Sequence, residues 1–403
     1  MDFFDTRCFR INKLFLSFVG LWPFQTAFMK FLTLSFSIFG VTIMCVPQIV
    51  YLLKHTDDLD NVFELMPTTS GTVICVMKII SLTRNSGKFK MLLQQTHEDW
   101  RNLLSSQETQ ILTRYSENGR KFTLAYSICI IGFVFCYALL PLAGPVLDII
   151  SPLNGTRPRK MPHPAEYFIN QEKYYYVLLL NTYVGYVACV SIAVAADTMY
   201  VLLVEHICGM YGVLCHRLEN LTHDEIQWVD DDYIHGHDEI GRRMRCCIQL
   251  HERIRLFIEM MESTFALFLL FDVGLGFILH TSSCVLIVVR MGRSSEILRY
   301  VSLVALQSCR LFFNSWAGQE VADHSTGISI AAYNGTWYNA PTEVQKLLIL
   351  LIARSQKASR ITIAKLYVIN LEGFSMSILF KVMRTSISYC TVMISLRETS
   401  ESM

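Results

Sequence analysis

Residues 174–196 read YYYVLLLNTYVGYVACVSIAVAA, twenty-three positions without a charge. As a helix at 1.5 Å per residue the stretch spans roughly 34 Å, enough to cross a hydrocarbon core of about 30 Å. Two further stretches share this character: FLTLSFSIFGVTIMCVPQIVYLL at 31–53 and FTLAYSICIIGFVFCYALLPLAGPVL at 122–147. Weaker candidates lie at 62–82 with Glu64 and Lys78, at 263–289 with Asp272, at 299–318 with Arg299 and Arg310, and at 373–396 with Lys381 and Arg384. Apolar residues make up 52% of the 403, charged residues 17%, and mean hydropathy is +0.36. Length alone would suggest two or three soluble domains, and the apolar blocks override it. The expected fold is all-α, a polytopic membrane protein with seven transmembrane helices. A net charge of +1 gives no electrostatic case for a nucleic-acid partner. The first thirty residues lack the short apolar core and small-residue cleavage site of a signal peptide, so the first span is expected to be an uncleaved anchor.

Basic residues set the orientation. The amino end and the loops 83–121, 198–262 and 319–372 hold 22 Lys and Arg, and the opposite side holds 8. The amino terminus is therefore expected in the cytoplasm and, after seven spans, the carboxyl terminus outside. The chain divides into a cytoplasmic segment 1–30, six spans with cytoplasmic extensions over 31–318, a cytoplasmic segment 319–372, and a last helix with the carboxyl terminus over 373–403. Between spans four and five, helical patterns at 201–221 and 240–262 flank the acidic THDEIQWVDDDYIHGHDEIG, which reads as two helices continuing the spans and joined by a solvated turn. None of the 13 cysteines falls in an outer loop, so no disulfide is expected to pin those loops. Of three glycosylation acceptors, Asn154, Asn220 and Asn334, only Asn154 is expected outside.

Little in the sequence points to catalysis. His216, His223, His235, His237 and His251 with the nearby aspartates resemble a metal cluster in composition, but their spacing fits no zinc site, and no metal or cofactor is expected. There is no phosphate loop and no nucleophile elbow, so an enzyme is not expected. Asp197 and Asp272 lie nearest to hydrocarbon and are read as interhelical pairing groups before proton relays. A transporter would show repeated halves with broken helices at matching positions. In the last span, Ser377, Lys381, Arg384, Ser388, Thr391 and Ser395 fall within about 40° of one line at 100° per residue. Such a stripe serves equally for interhelical hydrogen bonds in a monomeric bundle or for the lining of a pore formed by several copies.

The stretch 312–396 carries Gly318-Gln319, Ser325, Tyr333, Trp337, a leucine run ending in Arg354-Ser355-Gln356-Lys357, and Ser388-Tyr389, in that order. It resembles the carboxyl-terminal signature of insect odorant receptors. The resemblance implies a ligand-gated, nonselective cation channel in the membrane of olfactory neurons, a heterotetramer of tuning subunits with a shared co-receptor. The last helix would line the pore and a helix near 342–357 would anchor subunits together. At 403 residues the chain resembles a tuning subunit. Carried over by position, the gate falls at Val392 and Leu396, with Ser388 and Ser395 in the polar stripe; Tyr389-Cys390-Thr391 departs from the family's Tyr-Phe-Thr. The implied site for a volatile or lipid-like odorant or pheromone lies between spans two, three, four and six. Taken by depth, its candidates are Met66, Ser70, Tyr137, Tyr176, Tyr183, Leu303 and Gln307. The alternative, a seven-span G-protein-coupled receptor, would lie the other way up, and the chain lacks both Asp-Arg-Tyr after span three and Asn-Pro in span seven.

Overall fold

The computed structural model describes residues 3–55, 59–142, 161–222, 236–289, 294–363, 365, 367–374 and 391. Ten α-helices occur among them: α1 Arg10–Phe18, α2 Ala27–Lys54, α3 Leu59–Arg84, α4 Ser86–Arg101, α5 Ser106–Leu139, α6 Tyr175–Glu219, α7 Gly236–Val289, α8 Ser294–Asn334, α9 Thr342–Ser355 and α10 Leu371–Phe374. The all-α expectation needs one small correction. Strands β1 Thr362–Ile363 and β2 Tyr367–Val368 pair antiparallel around Lys365 in the left-handed region (φ 61°), and Glu262 on α7 accepts from the Thr362 hydroxyl at 2.7 Å.

Five helical segments are long and apolar enough to cross a membrane: Ala27–Lys54, Glu64–Arg84, Ser106–Leu142, Tyr175–Glu219 and Glu239–Ile287. The sixth expected span lies within α8, where Arg299, Gln307, Arg310 and Asn314 interrupt the apolar run. The seventh, 373–396, lies almost wholly outside the described residues. The patterns flanking the acidic segment are the continuous helices α6 and α7, 45 and 54 residues long.

Helix α6 is the axis of the bundle. From Ile192 to Tyr211 every residue is buried, since α2, α3, α5, α7 and α8 pack around it. A helix apolar on all faces needs such a jacket. Close approach comes from small residues: a Cβ on Gly40 of α2 would sit 2.5 Å from the Ala188 Cβ of α6. The outer faces of α2, α5 and α6 instead present Phe31, Phe39, Ile128, Phe135 and Leu180, a surface that suits hydrocarbon.

At one end of the bundle, called here the loop end, the segment 161–174 packs over α2, α5 and α6. Glu166 N–H donates to Pro47 O at 3.1 Å and Tyr175 Oη donates to Pro141 O at 3.1 Å. The opposite, extension end holds α4, α9, the β-hairpin and the ends of α6 and α7. There Ser105 caps α5 by accepting from Glu108 N–H at 3.2 Å, and the Glu108 carboxylate accepts from Leu104 N–H at 2.7 Å. Arg217 of α6 then clamps the same carboxylate with bonds of 2.7 and 2.9 Å, joining α5 to α6.

Candidate functional site

Where α3, α5, α6 and α8 diverge below the loop end, they enclose a cavity of about 120 Å³. Helix α3 contributes Pro67, Thr68, Gly71, Thr72 and Cys75, and α5 contributes Ile130, Phe133, Val134 and Tyr137. Tyr186, Cys189, Val190 and Ala193 face it from α6, and Ser302, Leu303, Leu306 and Arg310 from α8. Each set repeats every three to four residues, so each helix offers one stripe. The α3 stripe is small-sided, and its residues leave space that larger side chains would fill.

The wall is almost wholly apolar, and its hydroxyls are engaged with the protein itself. Thr68 donates to Leu65 O at 3.1 Å, Thr72 to Thr68 O at 3.0 Å, and Ser302 to Arg299 O at 2.7 Å. Van der Waals fit therefore dominates recognition in such a cavity.

Tyrosines fasten the roof. Tyr137 Oη donates to Pro162 O at 2.9 Å, Tyr183 Oη to Ala138 O at 2.7 Å, and Tyr186 Oη lies 3.0 Å from His163 Nδ1. Arg299 of α8 also donates to Pro162 O at 3.2 Å and pairs with Glu64 of α3 at 2.6 Å. Burial, and then the nearby Arg299 charge, pushes the His163 imidazole down to about 4. It is therefore neutral at physiological pH.

Beneath the cavity lies a buried charge cluster drawn from five helices. Lys78 of α3 pairs with Asp197 of α6 and lies 3.5 Å from Asp272 of α7; Arg310 of α8 pairs with Asp272 and lies 3.8 Å from Asp197. Tyr126 of α5 donates to Asp197 at 2.5 Å and Asn314 of α8 donates to Asp272 at 3.0 Å. Two cations face two carboxylates, so the cluster is neutral as a whole. Asp197 and Asp272, expected as pairing groups, thus share the same two partners.

Of the residues singled out by depth, Tyr137 and Leu303 line the cavity. Tyr183 lines an adjoining groove of about 520 Å³ between α5 and α6, which shares Val134, Tyr186 and Val190 with the inner cavity. Met66 and Ser70 stand one position off the α3 stripe, outside the lining. Gln307 is buried and accepts from Arg310 at 3.3 Å, with its amide nitrogen packed against Gly276. Tyr176 is 56% exposed on the flank of α6. Ser388, Val392, Ser395 and Leu396, with Lys381, Arg384 and Asn154, lie outside the described residues. The candidates chosen by depth leave out Thr68, Thr72, Cys75, Phe133 and Ala193; the pairs Pro67/Gly71 and Thr68/Thr72, four residues apart, are the signal the sequence offers on α3.

The signature residues at the extension end have structural occupations. A Cβ on Gly318 would come 2.1 Å from Ile369 O, so only glycine lets the chain after β2 lie against α8. Ser325 Oγ accepts from Ser359 N–H at 2.8 Å, fixing the end of α9. Tyr333 and Trp337 remain exposed, as do Ile330, Tyr338, Ile349 and Leu350 nearby.

A profile described as "7tm Odorant receptor" matches residues 58–387. Odorant receptor Or2 of Anopheles gambiae is 21% identical, over 93% of this chain and 96% of that protein. Odorant receptor 13a of Drosophila melanogaster is 22% identical, over 96% and 94%. In three dimensions the chain is similar to the insect olfactory receptor OR5 from Machilis hrabei in complex with eugenol, with a TM-score of 0.77 at 15% identity, covering 96% of this chain and 97% of that one.

Proposed function

Since the chain belongs to the 7tm odorant receptor family, a family of membrane receptors and not of enzymes, we propose that it is the odorant-binding subunit of a ligand-gated nonselective cation channel. It would work with a shared co-receptor in a heterotetramer, in the plasma membrane of olfactory neuron dendrites. The observation that carries this proposal is the apolar cavity among α3, α5, α6 and α8, roofed by tyrosines. Its volume of about 120 Å³ compares with roughly 150 Å³ for an apolar cavity that holds benzene. The fitting ligand is a small volatile with a single ring or a short chain.

In this proposal the chain spans the membrane seven times: through the apolar parts of the five segments named above, through 299–318 within α8, and through 373–396. The excess of basic residues at the extension end favours a cytoplasmic amino terminus and an external carboxyl terminus. The exposed apolar side chains of α8 and α9, Ile330, Tyr333, Tyr338, Ile349 and Leu350, suit packing between subunits. The last helix supplies the pore, with Ser388 and Ser395 on its polar stripe and Val392 and Leu396 as an apolar constriction that resists wetting. Met66, Ser70, Tyr176, Tyr183 and Gln307 stand behind or beside the lining and would influence ligand fit only through it.

Current recorded with and without the co-receptor tests the proposal. The chain alone should give little odorant-evoked current, and co-expression should give a cation current that survives G-protein blockade. A strong current from the chain alone, or loss of the response on G-protein blockade, would contradict it.

A further inference from the structure

The groove of about 520 Å³ between α5 and α6 runs beside the candidate cavity, and the two are parted by the side chains they share, Val134, Tyr186 and Val190. Its far edge is formed by Ile131, Phe135, Leu139 and Val187, each between 45% and 62% exposed. Both helices belong to segments long and apolar enough to cross a membrane, so hydrocarbon is what meets that edge. On α5 the residues Val134 and Ala138 form the inner row, and Ile131, Phe135 and Leu139 the row next to it, each repeating every four residues. One helix face thus reaches from the cavity wall to the bilayer.

Depth places the mouth among the acyl chains. Along α6 the groove runs from Tyr183 to Ser191, nine to seventeen residues past position 174, where the apolar run starts. At 1.5 Å per residue that is about 14 to 26 Å into a run of about 34 Å. Apart from Ser191 and two tyrosine hydroxyls, which meet Ala138 O at 2.7 Å and His163 Nδ1 at 3.0 Å, the side chains of the groove are hydrocarbon. The loop end is fastened differently. There Tyr137 and Arg299 both donate to Pro162 O, and an entrant from water must part those bonds and the contact of Tyr186 with His163. From the side it needs to displace only valines, which have no hydrogen bond of the side chain to lose.

We propose, on the reading of the cavity as an odorant site, that ligands enter it sideways from the bilayer through the α5–α6 groove. Val134 and Val190 are the movable wall, and Tyr186, held by its hydroxyl, is the post against which they close. Ligand chemistry favours this path, since each CH₂ raises partition into hydrocarbon about fourfold. The bilayer is then the reservoir from which the cavity fills. A route differs from a binding contact in one respect. Narrowing it slows entry and exit by the same factor and leaves the equilibrium unmoved, because neither the free nor the bound state has changed.

Cys75, buried in the cavity wall, lets the route be tested without any current. The full-length chain in phospholipid bilayer discs is treated with methyl methanethiosulfonate, which is small and uncharged, or with its trimethylammonium-ethyl analogue, which carries a fixed charge. Labelling of each cysteine is followed by peptide mass spectrometry, with Cys136, exposed on α5, as the internal reference. The uncharged reagent should label Cys75 and the charged one should not. Ile131→Trp with Val187→Trp sets two indoles across the mouth at hydrocarbon-facing positions outside the cavity lining. It should slow labelling of Cys75 about tenfold, within the cost of forcing extra bulk past packed side chains, and leave Cys136 unchanged. Phe135→Ala widens the mouth and should hasten labelling of Cys75. With the co-receptor, the double tryptophan variant should slow the onset and the washout of odorant-evoked current by one common factor, with the plateau dose-response curve unmoved. Failure of the uncharged reagent to label Cys75, equal labelling by the charged one, or labelling of the double variant at the parent rate would overturn the route. A shifted plateau with unchanged kinetics would also overturn it, since the groove would then be part of the binding site. Labelling that follows the groove variants while no odorant evokes current leaves lateral entry standing and refutes the odorant reading alone.

Discussion

At the scale of single residues, the two polar features around the candidate cavity behave oppositely toward protons and charge. His163 is buried and neutral under the roof, with its pKa at about 4 against an ordinary 6.5. The unfolded chain gains the proton first as pH falls. The contribution of His163 to stability is therefore complete above about 6.5 and is lost between there and about 4. Melting temperature followed from pH 7 to 4 should fall less steeply for His163→Gln than for the parent. The charge cluster depends on balance. Asp272→Asn leaves Lys78 and Arg310 facing Asp197 alone, and a buried pair broken on one side typically costs about 3–5 kcal/mol. Delivery of the chain to the cell surface should drop sharply in that variant. Lys78→Met combined with Asp272→Asn restores neutrality, and it should recover surface delivery beyond the sum of the single changes. Additive losses would show that the two residues do not act together.

At the scale of elements, hydropathy makes the outer helices and the central one legible, because an uninterrupted apolar run of that length has one natural home, the bilayer. It deals less well with α8. Arg310 and Asn314 read as defects in a span, yet they satisfy Asp272, a residue 38 positions away from the arginine. Pairing of that kind is invisible to a window moving along one helix. The candidate site shows the same limit. Depth reaches the lining turns of α3, α5 and α8 but stops short of those of α6, where the lining begins at Tyr186, and the facing stripe depends on how each helix is rotated by its neighbours. An error of one residue turns a side chain by about 100°, which is the difference between Ser70 and Gly71. Gly318 is legible only as part of a motif, and its reason, the backbone of Ile369, comes from a distant segment. The proposed pore helix gives a test that separates elements. Val392→Ser should raise basal current or alter ion permeability, whereas Tyr137→Ala, in the cavity lining, should shift odorant sensitivity and leave permeability unchanged. Should both change only apparent affinity in dose-response and reversal-potential recordings, 373–396 is not the pore lining.

For the whole molecule, orientation can be read from sugar attachment. The sequons Asn220-Leu221-Thr222 and Asn334-Gly335-Thr336 meet at the extension end, where the hydroxyls of Thr222 and Thr336 touch. The proposed topology puts both in the cytoplasm and leaves Asn154 for the enzyme of the secretory lumen. Asn154→Gln should abolish any glycan-dependent shift in gel mobility, and modification at Asn220 or Asn334 would reverse the orientation. The charge cluster also bears on how such a chain is made. Its four ionic members come from four different helices, and in order of synthesis the two cations bracket the two carboxylates: Lys78, Asp197, Asp272, Arg310. Counted as the ribosome delivers them, the running charge is plus one, zero, minus one, zero. The nascent bundle therefore never holds more than one uncompensated ion of this set while it awaits the next helix, and neutrality is complete only when α8 has entered.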